Sequence, residues 1–388
     1  SRAGSVTTGR ADIDQTMMGL ALEQARTARG RVAPNPAVGA VVARNGDVIA
    51  VGATQPPPGP HAEVVALAAA GNAATGADLY VTLEPCAHHG RTPPCTDAIV
   101  AAGITRVVVA VIDPNPIVHW RGVAQLQAAG IRVEIGAAAD SAAEVIAGFT
   151  KRVVTGRPLV TAKYAMTLDG RIATRTGHAR WISGAASREH AHRIRDRVDA
   201  ILVGVGTVLA DDPLLTTRIP PERAGSGGPH HPLRVILDTA ARMPSSARML
   251  SPETPGSTLV VVGPDASSTR VEALQRTDTN VVHLPVSDGR IDPSAVLDLL
   301  GELGINDLLI EGGRRIHGAF FDAHLVDCVS VYIGPSIVGG LDAPAPVGGR
   351  GVAVMPAAAR VVDQRLTALG DDLHLEGRVV YPERPAHV

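Results

Sequence analysis

Cysteine and aromatic residues are the scarcest components of this chain. Three cysteines (Cys86, Cys95 and Cys328) in 388 residues are too few for a disulfide framework, and reduced thiols in the cytoplasm are the expectation. Phe, Tyr and Trp together make up 2%, so the cores must be built from Val, Leu, Ile and Ala. Neither sign of charge dominates: 36 Lys+Arg against 38 Asp+Glu leave a net charge of −2. With no basic block and no acidic tail, nothing in the charge pattern suits a nucleic-acid or membrane surface. No apolar run is long enough to span a bilayer. The opening SRAGSVTTGRADIDQ lacks the apolar centre of a signal peptide and reads as a disordered lead-in.

What is present is enough apolar sequence for two domains: 45% hydrophobic and 19% charged residues. DQTMMGLALEQARTA carries Met17, Leu20, Ala21 and Ala25 at helical spacing. AVGAVVA and GDVIAVG flank Asn45-Gly46, a hairpin signal. HAEVVALAAAG then reads as a helix closed by Gly71, ADLYVTL as a strand and CTDAIVAAG as a helix. RVVVAVI, GVAQLQAAG and RVEIG continue the alternation, which predicts an α/β sheet with helices packed on it. The pattern pauses near Thr155-Gly156. A second series follows through LVTAKYAM, AILVGVG, LRVILD, STLVVVG, VVHLPV, DLLIEGG, CVSVYIG and LHLEGRVVYP. Two domains are therefore expected, 11–154 and 157–388, with no internal repeat.

Two of the three cysteines stand in TLEPCAHHGRTPPC, downstream of HAEVVALAAA. A catalytic zinc site needs three protein ligands and one open position, and His61, Cys86 and Cys95 supply one imidazole and two thiolates. Glu63, two residues after His61, can face the same pocket and carry a proton from water to a leaving amine. A lone histidine in an apolar helix is usually structural, and a pair of cysteines is often merely buried. In this order, with a proline before each cysteine, the set follows the zinc-deaminase plan: H-x-E, then P-C, then a second Cys, with Glu as acid/base. The loop between the cysteines is longer than the usual P-C-x-x-C and carries His88, His89 and Arg91.

In the second half, VGVGTVLADDP lacks the third glycine of a dinucleotide fingerprint and runs into Asp211-Asp212-Pro213 with no clear helix. It reads as a strand ending in a tight turn. IEGGRRIHGAFF is more suggestive, because Gly312-Gly313 between a strand and a helix can bring backbone N–H groups to a phosphate. The plain alternative is a glycine turn beside two solvated arginines.

TLEPCAHHGRTPPC, with PNPAVGAVV before it and DPNP after it, resembles the bifunctional riboflavin-biosynthesis deaminase/reductase family. The resemblance runs on through KYAMTLDGRIAT, WISG, ILVGVGTVLADDPLLTTR, RVILDT and IEGG, nearly the whole chain. It implies a cytidine-deaminase-like N-terminal domain and a C-terminal domain with a dihydrofolate-reductase-like fold. The implied reactions are zinc-dependent deamination of a diaminopyrimidinone ribosylamine phosphate, then reduction of its ribosyl group to ribityl with NADPH.

Carried over by position, His61, Cys86 and Cys95 match zinc ligands and Glu63 the proton shuttle, while Asn35, His88 and Arg91 match residues that hold the substrate. In the reductase half, Ala165, Trp181, Thr207, Asp211 and Thr239 match cofactor contacts. So does the run Gly313, Arg314, Arg315, Ile316, His317, Gly318 and Ala319. Ala179, Arg195, Leu215, Arg218 and Glu311 match substrate contacts, with Arg195 and Arg218 suited to clamp the sugar phosphate. A homodimer or larger homo-oligomer through the reductase half is also implied.

Four positions depart from the family's pattern: Thr54 for a histidine of some relatives, His119-Trp120 for a small residue and glycine, Ser336 for a common lysine, and Arg314-Arg315 for small or neutral residues. Three other functions stay open. One is a deaminase with a repurposed or inactive reductase half. Another is a nucleic-acid-editing deaminase, which would need a basic, aromatic-lined groove. The last is a purely structural zinc.

Overall fold

The structure, a computed structural model, describes residues 3–88, 93–225 and 227–382. It divides into two compact units, Ser1–Gly156 with Ala224–Gly228, and Arg157–Arg223 with Pro229–Val388.

The first unit opens with α1 (Ala3–Ala28). The helix therefore takes in most of the segment expected to be disordered. No proline interrupts it, and its Arg10 and Asp14 are tied down: Arg10 pairs with Asp78 at 3.0 Å, and Asp14 accepts from the Tyr80 hydroxyl at 2.9 Å. There follow β1 (Gly39–Arg44), β2 (Asp47–Ala53), α2 (Ala62–Ala70), β3 (Asp78–Leu83), α3 (Cys95–Ala101), β4 (Arg106–Val111), α4 (Arg121–Ala128), β5 (Arg132–Ile135), α5 (Ala139–Val145) and α6 (Ala147–Thr155). The sheet order is β2-β1-β3-β4-β5; β1 is antiparallel to both neighbours, and β3, β4 and β5 are parallel.

Asn45 and Gly46 both take positive φ, as the tight hairpin turn requires. Runs of consecutive buried residues in β1, β3 and β4 show that both faces of the sheet are covered. With so few aromatics, close approach replaces bulk. A Cβ on Gly52 of β2 would lie 2.6 Å from the Ala66 nitrogen, so α2 rests backbone to backbone on the sheet.

The second unit comprises β6 (Leu159–Thr167), α7 (Ala185–Arg195), β7 (Ala200–Gly204), α8 (Val205–Asp211), β8 (Leu233–Leu237), β9 (Thr258–Val262), α9 (Ser268–Gln275), β10 (Asn280–His283), a short hairpin of β11 (Val286–Ser287) and β12 (Arg290–Ile291), α10 (Pro293–Glu302), β13 (Asp307–Ile310), α11 (Arg314–Asp322), β14 (Cys328–Gly334), β15 (Arg360–Leu369) and β16 (Asp372–Val380). Its nine-stranded sheet runs β10-β9-β8-β7-β13-β6-β14-β16-β15. Only the last two strands are antiparallel to their neighbours.

Two elements differ from the sequence reading. GTVLAD forms a helix after all, because Val205 and Val208 bury one side of α8 while Gly204 opens it and Asp212, at φ 41, ends it. β15 went unrecognised because it is an edge strand whose side chains are mostly exposed, which erases the alternating pattern.

Candidate active site

His61 stands just before α2 in an extended conformation, and Glu63 falls in the helix's first turn. The one-residue gap thus brings both side chains to one end of α2. Cys95 begins α3 after Pro94, and Cys86 lies three residues beyond the end of β3. His61 Nδ1 is 3.7 Å from Cys86 Sγ and 3.3 Å from Cys95 Sγ, and the three ligand atoms lie within 4.8 Å of one another.

Zinc bonds of about 2.3 Å to sulfur and 2.0 Å to nitrogen, at tetrahedral angles, put N and S roughly 3.6 Å apart, so this set fits the ion. The Cys95 backbone N–H donates to Cys86 Sγ at 3.3 Å. Contact with Cys95 holds the Cys86 thiol down at about 4, and the same contact holds Cys95 above its ordinary range. A cation held there would keep both sulfurs as thiolates.

Glu63 is 4% exposed, and burial pushes its carboxyl up to about 7. A group balanced near neutral pH suits both halves of a proton shuttle. It lines a cavity of about 360 Å³ together with His61, Cys86, Asn35, His88 and Thr54. Asp113 and Asn115 form another part of the wall, and burial raises Asp113 to about 6. Arg91 lies outside the described residues.

In the second unit, β6, β7, β8 and β13 run parallel, so their carboxyl ends share one edge, the usual binding side of such a sheet. Thr207 and Asp211 lie on α8 after β7, Thr239 just past β8, and Glu311 to Gly313 just past β13, while Ala165 is near the end of β6. Trp181 and Ala179 stand in the segment after β6. The indole is 71% exposed, with the Arg188 guanidinium 4.3 Å from its ring centre.

Arg195 grips Glu311 with two hydrogen bonds, of 2.6 and 2.7 Å, and donates to the Thr216 carbonyl at 3.1 Å. Lys163 adds a second cation 3.5 Å from Glu311. Burial works against the charge, yet Arg195 and Lys163 hold Glu311 well below the ordinary carboxylate range. Arg195 thus spends most of its donors inside the protein, and the expected phosphate clamp is first of all the counter-charge of Glu311.

Arg218 is different. Burial and the nearby Arg195 and Arg248 lower its pKa, against a smaller opposing pull from Glu311. Leu215 is buried with φ 53. Within 313–319, Arg314 and Arg315 are exposed on the first turn of α11 and Ile316 is half-buried. His317 is not turned outward: it is 2% exposed, its ring nitrogens 3.2 and 3.3 Å from the Pro346 and Ile310 carbonyls. Gly318 is buried as well, and Ala319 is half-buried. Lys163 was missed in the sequence; a lysine inside the apolar run LVTAKYAM was the available signal.

Two family descriptions match: the cytidine and deoxycytidylate deaminase zinc-binding region over residues 11–111, and the RibD C-terminal domain over 158–375. The riboflavin biosynthesis protein RibD of Aquifex aeolicus is 40% identical over 363 residues, covering 93% of this chain and 97% of that protein. The chain belongs to the RibD family. RibD of Escherichia coli is 37% identical, covering 94% and 99% of the two chains. The solved RibD of Acinetobacter baumannii has a TM-score of 0.82 at 36% identity, covering 95% and 99%. A Thermotoga maritima structure, described as a diaminohydroxyphosphoribosylaminopyrimidine deaminase/5-amino-6-(5-phosphoribosylamino)uracil reductase, has 0.81 at 34%, covering 96% and 100%.

As a RibD protein the chain is a bifunctional enzyme of riboflavin biosynthesis, a zinc-dependent deaminase joined to an NADPH-dependent reductase. Its departures from the RibD pattern now have physical readings. Thr54 is buried and bonds the Val38 backbone, so it serves the cavity wall as a strut. Trp120 takes φ 63, the left-handed region that glycine favours, and its indole is 50% exposed. The Ser336 carbonyl accepts from Leu168 N at 2.8 Å. Arg314 and Arg315 line a separate surface cavity of about 820 Å³ with Arg290 and Arg350.

Proposed function

We propose that the first unit hydrolyses the exocyclic amine of a diaminopyrimidinone ribosylamine 5′-phosphate and that the second then reduces the deaminated compound's ribosyl group. The convergence of His61, Cys86 and Cys95 beside buried Glu63 on one cavity carries this reading. When bound there, zinc supplies Lewis acidity that makes water a nucleophile near neutral pH. His61, Cys86 and Cys95 would hold it. Glu63 takes a proton from the attacking water and passes it to the adjacent ring nitrogen, then carries the remaining hydroxyl proton to the departing amine, so the C–N bond breaks to ammonia as a ring carbonyl forms. Asn35 can read donors and acceptors on the pyrimidine edge, and His88 and Arg91 are assigned to the substrate's polar end.

In the second unit, NADPH when bound would supply the hydride for the anomeric carbon, the ring C–O bond breaking as the sugar oxygen takes a proton from water. We assign Ala165, Trp181, Thr207, Asp211, Thr239 and the outward residues of 313–319 to the cofactor, and Ala179, Leu215, Arg218 and Glu311 to the substrate. Arg195 acts mainly by holding Glu311. Arg218→Ala is expected to raise the KM of reduction about 10- to 100-fold, the loss of a charged hydrogen bond, and to spare deamination. Equal damage to both steps in steady-state assays would overturn the division of labour.

A two-step assay with metal analysis tests the whole reading. Chelation should abolish deamination and leave NADPH oxidation on the deaminated compound intact; loss of both would refute it. We further propose a cytoplasmic homo-oligomer assembled through the reductase unit. The family resemblance supports that assembly. Among the described residues no helix is long and apolar enough to cross a membrane.

A further inference from the structure

Four backbone N–H groups of the first unit end on one carboxylate. Glu84 follows β3 directly and precedes Pro85 and the zinc-ligand position Cys86; it is 3% exposed. Oε2 accepts from Asp113 N at 3.2 Å and Trp120 N at 3.0 Å, and Oε1 from Gly122 N at 3.0 Å and Val123 N at 3.2 Å. The donors come from both ends of the segment 113–123, so a single side chain closes that loop.

The reason lies in α4. A helix start leaves N–H groups without partners, and a Ser, Thr, Asp or Asn normally caps them. Trp120 occupies that position with no side-chain acceptor to offer. Glu84 caps the helix instead, from just past the end of β3. Carboxylate charge at a helix N-terminus is favourable, and charge-assisted bonds are the strong kind. The contact is also tight, because a Cβ on Gly122 would drive into the Pro85 carbonyl.

The loop held this way is a wall of the deaminase cavity. Asp113, Asn115 and Val118 line it: Asp113 accepts from Asn115 N at 2.8 Å, and Asn115 from Ile117 N at 3.1 Å, bonds that shape the loop locally. Beyond the main-chain bond from Glu84 N to the Val111 carbonyl at 2.9 Å, the Glu84 carboxylate ties this loop to the strand end before Cys86. We propose that Glu84 is a positioning residue for deamination. It sets the 113–120 wall relative to the metal ligands, so that the cavity keeps the shape that takes the pyrimidine ring. With its oxygens taken by four donors, Glu84 acts through that wall and not on the substrate. The proposal rests on the deaminase reading above.

The test uses full-length, zinc-loaded protein carrying Glu84→Gln or, separately, Gly122→Ala. Gln puts an N–H₂ where donors already point. Ala leaves the carboxylate intact and pushes α4 off Pro85. Zinc content, KM and kcat of deamination, and the rate of reduction are measured for each. Both variants should keep zinc and reduction, with KM of deamination rising about 10- to 100-fold, as the loss of one or two wall contacts can cause, and kcat falling much less. An unchanged KM with only a lower melting temperature overturns the proposal, since a purely structural staple does that. Loss of zinc also overturns it, by placing the effect on the ligands. If Glu84→Gln does not fold, Gly122→Ala decides on the same KM readout. Wild-type protein that fails to deaminate, or fully active Glu63→Gln, sinks the deaminase reading instead.

Discussion

Glu63→Gln protein is expected to keep its fold, its zinc and its NADPH-dependent reduction, and to lose deamination by about 10²- to 10⁴-fold, the usual share of a general acid–base group. Gln matches Glu in shape, so the buried first turn of α2 has no cavity to absorb. What disappears is proton exchange, and that is the whole task assigned to this side chain. Burial raises Glu63 to about 7, so both protonation states are accessible near neutral pH. An amide has neither. The measurement is single-turnover deamination beside metal analysis and a separate reduction assay. Deamination within a few-fold of wild type would remove Glu63 from the mechanism.

The second large effect is expected from Glu311→Gln. Arg195 and Lys163 both face this carboxylate, and the side chains of Arg195 and Glu311 are 13% and 7% exposed. Removing one partner of a buried pair leaves the other uncompensated, at about 3–5 kcal/mol. Urea unfolding should show the reductase transition shifted by that amount, reduction lost and deamination retained.

The pH dependence has a definite sign. Glu311's folded-state pKa is depressed, so its stabilisation is complete above the unfolded value of about 4.3 and is lost as pH falls below it towards the folded value. The difference in stability between wild type and variant should therefore shrink in acid. A difference under about 1 kcal/mol at neutral pH would mean that water or main chain compensates Arg195, as in exposed pairs.

Much of the catalytic chemistry was legible because it is local. His61 and Glu63 are bound by one helix start, and the prolines before Cys86 and Cys95 mark where strand and helix turn towards each other. The α8 helix and the β15 edge strand were harder. A helix of seven residues shows too little period, and an exposed edge shows no alternation. The Arg195–Glu311 pair joins residues 116 positions apart, and no spacing rule connects them.

The sequence by itself pointed to the His61, Cys86 and Cys95 group that could hold a metal, to Glu63 beside it, to the two α/β series and to the glycine turn at Gly312-Gly313. Each depends on neighbours along the chain, where helix and strand geometry place side chains without help. Only the tertiary structure decided that Arg195 serves Glu311, that His317 is enclosed between two carbonyls, and that Glu84, just past β3, caps α4. Those outcomes depend on which buried donor finds an acceptor once the layers close. That pairing is set by packing across the sheet, because an unpaired polar group in the interior costs more than the chain can spare.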